Sequence, residues 1–251
     1  DDMYIQGLST SMPHDIQELI VRSVPGLEKA IITKYAYAIE YDAINPMELK
    51  RSLESKRINN LFFAGQINGT SGYEEAACQG LIAGINASLK IDNKDPLIIR
   101  RDQGYIGVLI DDLITKGVVD PYRMLTSRAE FRLLLRHDNV EERLLNYGYE
   151  VGLIREERYQ NFLKKQESIE AIINQLKEIK INPKEAINQY LLENNKDVIN
   201  EKISAFDFLK RTGIDFDDIY NIMQIDFALD KDTQEEILIK IKYEGYIKKE
   251  Y

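Results

Sequence analysis

The sequence predicts an α/β domain in residues 1–95, followed by an all-α domain in residues 96–251. In the first domain, short runs of β-type residues alternate with helical segments, and residues 60–64 form a continuous apolar run typical of a buried parallel strand. In the second domain, apolar side chains recur at the helix period. We divide this second domain into an arginine-rich connecting segment, residues 96–150, and a helical bundle, residues 151–251.

The first domain is predicted to combine one early helix with three short strands. Residues 13–23 are predicted to be helical, because a proline suits the first turn and a Pro-Gly pair follows the last one. Residues 30–33 and 36–41 are β-type runs, and residues 60–64 supply the third strand.

Five helices are predicted in the helical bundle. Apolar side chains lie on one side of the longest helix, and the Asn182-Pro183 pair ends it. Ser204 and the acidic residue three positions after it form a variant of the capping box, which predicts the start of a helix. Gly213 is predicted to end this helix. The predicted helices are residues 155–180, 183–193, 204–211, 215–223 and 233–242.

The composition excludes several classes of protein. No apolar run approaches the roughly 20 residues that span a bilayer, and the single cysteine, Cys78, excludes an internal disulfide framework. The chain begins Asp1-Asp2 without a charged-then-apolar leader, so we expect no secretory signal, no membrane association and a cytoplasmic location. A net charge of −9 argues against a uniformly basic nucleic-acid binder, although a local basic stripe can still attract phosphate.

A strand, a glycine loop and a helix are predicted in succession within residues 60–87. Gly65, Gly69 and Gly72 lie in the loop, where glycine lets the backbone approach a ligand closely. The helix begins near Gly72 or Tyr73, and its free N–H groups and dipole favour an anionic or electron-rich ligand atom. The chain contains no G-x-G and no P-loop motif. The pattern is therefore either a tight structural junction or the second half of a dinucleotide site.

This stretch resembles the second flavin motif of the MnmG (GidA) family, whose members modify a uridine of transfer RNA with the help of FAD. Other segments resemble the same family in the same order, and the similarity covers essentially the whole chain. These segments are residues 7–13, 25–28, 37–42, 53–56, 105–112, 121–124, 126–132 and 242–247.

The resemblance implies an activity and a set of ligands. Residues 1–95 would be the C-terminal portion of an FAD-binding, Rossmann-like domain, in an enzyme that adds a carboxymethylaminomethyl group to C5 of the wobble uridine of tRNA. NADH as reductant, methylene-tetrahydrofolate as one-carbon donor, an MnmE-type GTPase partner and a homodimer are implied as well. The residues implied to bind the cofactor are Gln66, with Gly65, Asn68, Gly69, Thr70, Gly72 and Tyr73.

The chain departs from the family pattern in ways that limit these implications. The N-terminal G-x-G-x-x-G is missing, and the family's catalytic cysteines should lie upstream of Asp1, so the catalytic residues stay unknown. The family usually continues well beyond residue 247, and we therefore expect a domain fragment. Two alternatives remain: a TrmFO-like tRNA methyltransferase that uses FAD and folate, and a non-catalytic module that docks tRNA and the GTPase. The helical residues 155–251 favour the MnmG family, because the TrmFO family lacks the long helical tail.

Seven arginines and one lysine fall in residues 97–143, together with eight acidic residues. Balanced charges indicate a structural, ion-paired segment, whereas the preference for arginine suits phosphate binding and stacking on bases. The resemblance favours a tRNA-facing surface near the flavin. The candidate RNA-binding residues are Arg100, Arg101, Arg123, Arg128, Arg132 and Arg136.

The remaining candidate groups are predicted to be structural. His14 and His137 lie in no cluster with metal-ligand spacing, so no metal site is predicted. Cys78 is expected to be a small buried thiol within a helix. Glu74 and Glu75 are explained by the dipole at the start of the helix that follows the glycine loop.

Overall fold

The computed structural model describes residues 2–250, apart from the side chains of Lys248 and Glu250, and these residues form two compact units that divide after Ile44. In the first unit, helix α1 (His14–Arg22) begins after Pro13 and ends at Ser23, which confirms the helix predicted there. The side chain of Gln17 is buried. It donates hydrogen bonds to the backbone oxygens of Met12 and Ala36 and accepts one from the Ala36 nitrogen, so one buried amide holds the extended segment to the helix.

The strands predicted over residues 30–33 and 36–41 are wrong. The structure contains no strand in residues 2–44, and Ile39 and Tyr41 are exposed. A β-strand persists when its backbone groups pair with a neighbouring strand. Here the Ala30 nitrogen donates to the nearby Leu27 oxygen, and the backbone of Ala36 is held by the side chain of Gln17. The β-type composition therefore produces extended backbone without a sheet.

The second unit is mainly helical. Turns, extended segments and two strands of two residues each connect its helices. The helices are α2 (Tyr73–Ile91), α3 (Tyr105–Lys116), α4 (Val140–Glu150), α5 (Glu156–Glu178), α6 (Glu185–Glu193), α7 (Ala205–Leu209), α8 (Phe216–Met223) and α9 (Lys231–Glu250). None of the helices within residues 2–250 is long and apolar enough to cross a membrane.

The buried parallel strand predicted over residues 60–64 is also wrong. Residues 61–63 are extended, but they pair antiparallel with residues 53–55 through two backbone hydrogen bonds, Ser55 N to Leu61 O and Phe63 N to Leu53 O. Leu61 is exposed and Phe62 and Phe63 are only half-buried. A continuous apolar run is typical of a parallel strand because both faces of its sheet are covered. Within residues 2–250, these residues have one short neighbour on one edge, and Leu61 remains exposed.

The helices predicted in the helical bundle are confirmed to within a few residues, except that the last one continues to Glu250. They pack around Phe208, which is fully buried among Ile169, Leu176, Leu191 and Ile219. Ser204 accepts a hydrogen bond from the Asp207 nitrogen, as its capping role predicts. The bundle is not wholly α-helical, because strand β1 (Lys180–Ile181) pairs antiparallel with strand β2 (Ile203–Ser204).

The connecting segment contributes α3, α4 and a run of turns. Val108, Leu109 and Leu113 of α3 are fully buried and form the centres of two small apolar clusters. Residues 130–136, whose alternating pattern suits either a strand or a helix, form turns. Because α3 contacts both α2 and the turns that follow it, this helix positions the arginine residues relative to the glycine loop.

The buried carboxylate of Glu54 fixes the turn that precedes the glycine loop. It accepts hydrogen bonds from the Asn60 nitrogen and from the ammonium groups of Lys50 and Lys90. The hydrogen bond from Lys90, followed by those from Asn60 and Lys50, lowers the pKa of Glu54 to about 2. A depressed carboxyl pKa stabilises the folded chain above the ordinary pKa, and this stabilisation is lost as pH falls from about 4.5 towards 2.

We therefore expect Glu54→Gln to lower the unfolding free energy by about 2 kcal/mol at pH 6 and by much less at pH 2.5. Each unit of pKa shift is worth about 1.4 kcal/mol, and solvent screening of the partly exposed lysines reduces the total. Urea unfolding of the chain at the two pH values measures this difference. Glu157→Gln, at an exposed carboxyl group, is the matched control. A loss of equal size at both pH values would contradict the assignment to the charge of Glu54.

Candidate functional site

The glycine loop, residues 65–72, connects the extended segment to α2. Gly65–Asn68 form one turn of 3-10 helix, and Gly69 follows with a φ of 83°, in the left-handed region that favours glycine. A Cβ at Gly69 would lie 2.4 Å from Cγ2 of Val118. Glycine is therefore required at this position both by the backbone conformation and by the packing of the neighbouring segment.

Gln79 of α2, which no sequence motif singles out, organises the loop. Its side chain is fully buried. The Gln79 Oε1 atom accepts hydrogen bonds from the Gly65 nitrogen at 3.2 Å and from Nδ2 of Asn68 at 2.8 Å, while Nε2 donates to Oγ1 of Thr70 at 3.0 Å. One amide thus holds three of the predicted cofactor-binding residues together. A glutamine inside an apolar helix face, one turn beyond Glu75, was the only signal in the sequence.

Asn68 carries a hydrogen-bond acceptor without a partner. Its side chain is fully buried, and Nδ2 donates to the oxygens of Phe63 and Gln79, which fixes the orientation of the amide. The Oδ1 atom is buried and accepts no hydrogen bond from the residues that the structure describes. Burying an unsatisfied polar atom costs about 1–3 kcal/mol. Such an atom in a glycine loop is suited to accept a hydrogen bond from a hydroxyl or N–H donor of a ligand.

The carboxylate of Glu75 folds back over the start of α2. A Cβ at Gly72 would lie 1.6 Å from Oε2 of Glu75, so only glycine leaves room for this arrangement. The Oε1 atom accepts a hydrogen bond from the Met124 nitrogen at 2.7 Å. The negative charge that a helix N-terminus favours is therefore already supplied by the protein. A neutral, hydroxyl-bearing ligand group would be compatible with this end of the loop, whereas a phosphate group would meet a like charge.

The other predicted cofactor-binding residues differ in exposure. Gln66 and Tyr73 are exposed, and Tyr73 is 93% exposed, so their side chains are accessible to a ligand. Thr70 and Gly65 are buried, and Thr70 Oγ1 is occupied by the hydrogen bond from Gln79. The geometry therefore brings Gly65, Asn68 and Thr70 together as the frame of the loop and leaves Gln66 and Tyr73 free at its surface.

The segment of residues 120–128 is hydrogen-bonded directly to the glycine loop. Thr70 and Tyr122 form a parallel β-bridge, in which the Tyr122 nitrogen donates to the Gly69 oxygen at 2.8 Å and the Ser71 nitrogen donates to the Tyr122 oxygen at 3.2 Å. The guanidinium of Arg123 also donates to the Ser71 oxygen, at 3.2 Å. The loop and the arginine-bearing segment therefore form one hydrogen-bonded structure.

The buried carboxylate of Asp112 in α3 holds this segment in place. It accepts hydrogen bonds from the Tyr122 hydroxyl at 2.9 Å, from Arg101 at 2.8 Å and from Lys116 at 2.6 Å. Burial alone would raise the pKa of Asp112, but the hydrogen bonds from Lys116, Arg101 and Tyr122 outweigh it and hold the pKa below its usual value. Burial and the Asp112 charge together raise the pKa of Tyr122, so its hydroxyl stays protonated and donates to the carboxylate.

Three of the six candidate arginines are engaged in ion pairs. The side chain of Arg101 is 19% exposed, pairs with Asp112 and Glu130, and donates to the backbone oxygen of Arg128. The mostly buried Arg136 pairs with Asp138, and the more exposed Arg100 pairs with Asp102. These arrangements match the structural, ion-paired interpretation of the segment.

The other three candidates, Arg123, Arg128 and Arg132, are exposed and form no ion pair within residues 2–250. The Arg128 guanidinium lies 4.3 Å from the centroid of the Tyr122 ring and donates to the Arg123 oxygen at 2.9 Å. Arg132 has neither a hydrogen-bond nor an ion-pair partner in the part of the chain that the structure describes. Arg123 and Arg128 thus place positive charge without an ion-pair partner beside the glycine loop.

Cys78 is half-buried, and its Sγ donates to the Glu75 oxygen. Burial, followed by the charge of Glu75, raises the pKa of its thiol to about 11, which keeps it in the unreactive thiol form at neutral pH. In the described residues, no three His, Cys, Asp or Glu side chains come close enough to hold a metal ion. The chemistry that this region offers is therefore binding by amides, backbone groups and guanidinium groups.

Because Gln79 holds three loop residues, we expect Gln79→Ala to lower the unfolding free energy by about 2–3 kcal/mol, through the buried polar groups that it leaves unpaired. Urea unfolding of the chain measures the change. Gln175→Ala, at an exposed glutamine of α5, is the matched control and should change the unfolding free energy by less than about 0.5 kcal/mol. Equal effects of the two substitutions would show that Gln79 does not organise the loop.

Comparisons with known proteins identify relatives of this chain. Residues 1–95 match the model of the family "Glucose inhibited division protein A", and residues 156–251 match that of the "tRNA modifying enzyme MnmG/GidA C-terminal helical domain". The tRNA uridine 5-carboxymethylaminomethyl modification enzymes MnmG of Onion yellows phytoplasma and Acholeplasma laidlawii are each 55% identical over 99% of this chain. The Aquifex aeolicus GidA structure in crystal form II superposes with a TM-score of 0.80 at 41% identity over 96% of the chain.

The chain covers only part of these relatives. It spans 40% of the two MnmG sequences and 38% of the Aquifex aeolicus GidA chain. The similarity nevertheless runs along almost the whole of this chain and includes both the glycine loop and the helical bundle. The chain therefore belongs to the MnmG (GidA) family of tRNA-modifying enzymes.

Proposed function

We propose that this chain supplies one wall of the FAD site and part of the tRNA-binding surface of an enzyme that adds a carboxymethylaminomethyl group to C5 of the wobble uridine of tRNA. The observation that carries the proposal is the direct hydrogen bonding between the glycine loop and the segment that bears Arg123 and Arg128. A cofactor on the loop and an RNA backbone on the arginines would lie side by side. Membership of the family supports this choice of activity.

The loop would hold a neutral part of FAD. The Gln66 amide can both donate to and accept from cofactor hydroxyls, and the unpartnered Oδ1 atom of Asn68 would accept a hydrogen bond from one donor. When bound, the flavin would supply the redox chemistry, with NADH as the reductant and methylene-tetrahydrofolate as the one-carbon donor. The residues of this chain would orient the cofactor, and Gly65, Gly69 and Gly72 would let it approach the backbone closely.

We also propose that residues 53–63 form part of a Rossmann-like sheet in the complete enzyme. Residues 53–55 cover one edge of the extended residues 61–63. A parallel strand from elsewhere in the complete enzyme would pair with their other edge and complete a sheet in front of α2. The homodimer, the MnmE-type GTPase partner and the cytoplasmic location are likewise proposed from the family resemblance.

We expect Gln66→Ala, in a complete MnmG-type enzyme that carries these residues, to weaken FAD binding by about 0.5–1.5 kcal/mol, because one hydrogen bond to a neutral group is lost. Flavin fluorescence during titration measures the affinity. Gln175→Ala again serves as the matched control. Unchanged FAD affinity would remove Gln66 from the cofactor site.

The exposed arginines without an ion pair are expected to bind tRNA, whereas the ion-paired arginines are expected to stabilise the fold. We expect the triple substitution Arg123→Ala, Arg128→Ala and Arg132→Ala to weaken tRNA binding. The melting temperature of the enzyme should fall less than in Arg101→Ala, because Arg123 and Arg128 make only exposed contacts with Ser71, Tyr122 and each other. The slope of log K against log salt should become shallower by about 0.7–0.9 for each phosphate contact that is lost. Binding of labelled tRNA at several salt concentrations measures both quantities.

Two control variants make this test specific. Arg101→Ala should lower the melting temperature, because it leaves the buried carboxylate of Asp112 short of a partner. Arg155→Ala removes an exposed arginine that has no partner within residues 2–250, and it should leave tRNA affinity unchanged. If Arg155→Ala weakens tRNA binding by about one third of the effect of the triple variant, each arginine contributes equally. The protein then attracts RNA only through its overall charge.

A further inference from the structure

A small cavity lies on the helical bundle, between α8 and the loop that joins α8 to α9. Its volume is about 210 Å³. Three aromatic rings, Phe216, Tyr220 and Phe227, contribute to its walls, and Asp217 and Asp226 stand among them. Pockets for drug-sized ligands typically measure about 300–1,000 Å³. This cavity therefore suits a single side chain and not a nucleotide or a whole cofactor.

The aromatic walls are held in place. The rings of Phe216 and Phe227 meet edge to face, with centroids 5.8 Å apart and planes at 80°. Gln224 and Ala228 both have positive φ, 55° and 51°, so the connecting loop keeps a conformation that non-glycine residues rarely adopt. Tyr220 is 50% exposed. The cavity is thus formed before any ligand arrives.

The charge around the cavity is negative and uncompensated. Asp217 is exposed and has no hydrogen-bond or ion-pair partner within residues 2–250, and Asp226 accepts only the backbone N–H of Ala228, at 2.8 Å. No lysine or arginine is among the residues that line the cavity. Aromatic faces attract cations, and carboxylates at the same opening add to that attraction.

We propose that this cavity binds an arginine side chain presented by a partner protein. A guanidinium group is planar, stacks on aromatic rings and is more weakly hydrated than an ammonium group, so it suits the three rings better than lysine does. Its N–H groups can donate to a carboxylate such as that of Asp217 or Asp226. The proposal goes beyond the cofactor and tRNA sites, because the cavity belongs to the helical bundle and shares no residue with the glycine loop or the arginine segment.

The test is a titration of this chain with N-acetyl-arginine N-methylamide, followed by ¹H–¹⁵N chemical shifts. We expect saturable shifts confined to residues 216–234. N-acetyl-citrulline N-methylamide has nearly the same shape without the charge and should bind about tenfold more weakly or not at all. The lysine and leucine counterparts should also bind more weakly. Equal binding of the citrulline or leucine compound would overturn the proposal, the latter by showing a purely apolar groove.

Variants at exposed positions test the residues without disturbing the core. Tyr220→Ala should weaken binding of the arginine compound roughly two- to fivefold, as expected for one exposed cation–π contact. Asp217→Asn should weaken it and reduce its dependence on salt. The controls Tyr246→Ala and Glu170→Gln remove an exposed tyrosine and an exposed carboxylate outside the cavity, and they should change nothing. Unchanged binding by both cavity variants, with melting temperatures retained, would overturn the proposal.

Two further comparisons identify the source of the arginine. An Ala-Arg-Ala peptide blocked at both ends should bind at least as tightly as the single blocked arginine, since a partner protein presents its side chain from a peptide backbone. Free L-arginine binding more tightly than the peptide would indicate a metabolite site and would overturn the assignment to a partner protein. Self-association of the chain that is abolished by Tyr220→Ala would identify a second copy as the occupant and would overturn it as well.

Discussion

The buried amide of Gln79 is the interaction on which the glycine loop depends. Glycine residues give a loop the freedom to approach a ligand, but the same freedom must be removed if the loop is to present a fixed surface. Gln79 removes it by hydrogen bonding to the loop at three points, Gly65, Asn68 and Thr70. Because this amide comes from the helix that follows the loop, the loop is fixed relative to the N-terminus of α2.

A second buried group, the carboxylate of Asp112, performs the corresponding task for the arginine segment. It binds Arg101 and the Tyr122 hydroxyl, and Arg101 in turn holds the backbone oxygen of Arg128. Tyr122 pairs with the loop backbone through its main chain and offers its ring to Arg128. The two anchored structures meet at this tyrosine, so a displacement of the arginine segment would be transmitted to the loop through direct hydrogen bonds.

Local patterns predicted α1, α2 and the helices of the bundle, and a proline or a capping side chain marks some of their ends. Ser204 caps α7, and Pro13 precedes the first turn of α1. The strands could not be predicted in the same way. Residues 36–41 and 60–64 have the composition of strands, but a strand also needs a neighbour, and local composition contains no information about distant partners. The loop was found from its glycines, whereas Gln79 was missed because a buried polar residue is recognised only when its partners are known.

Ion pairing explains how a chain with a net charge of −9 can still present a positive surface. The acidic residues of the connecting segment are not spread evenly over its arginines. Asp112, Glu130 and Asp138 neutralise Arg101 and Arg136, which are mostly buried and brace the backbone. Arg123, Arg128 and Arg132 keep their charge, and Arg123 donates to the glycine loop itself. Average charge therefore says little about this segment, because the geometry of pairing decides which guanidinium groups can still attract phosphate.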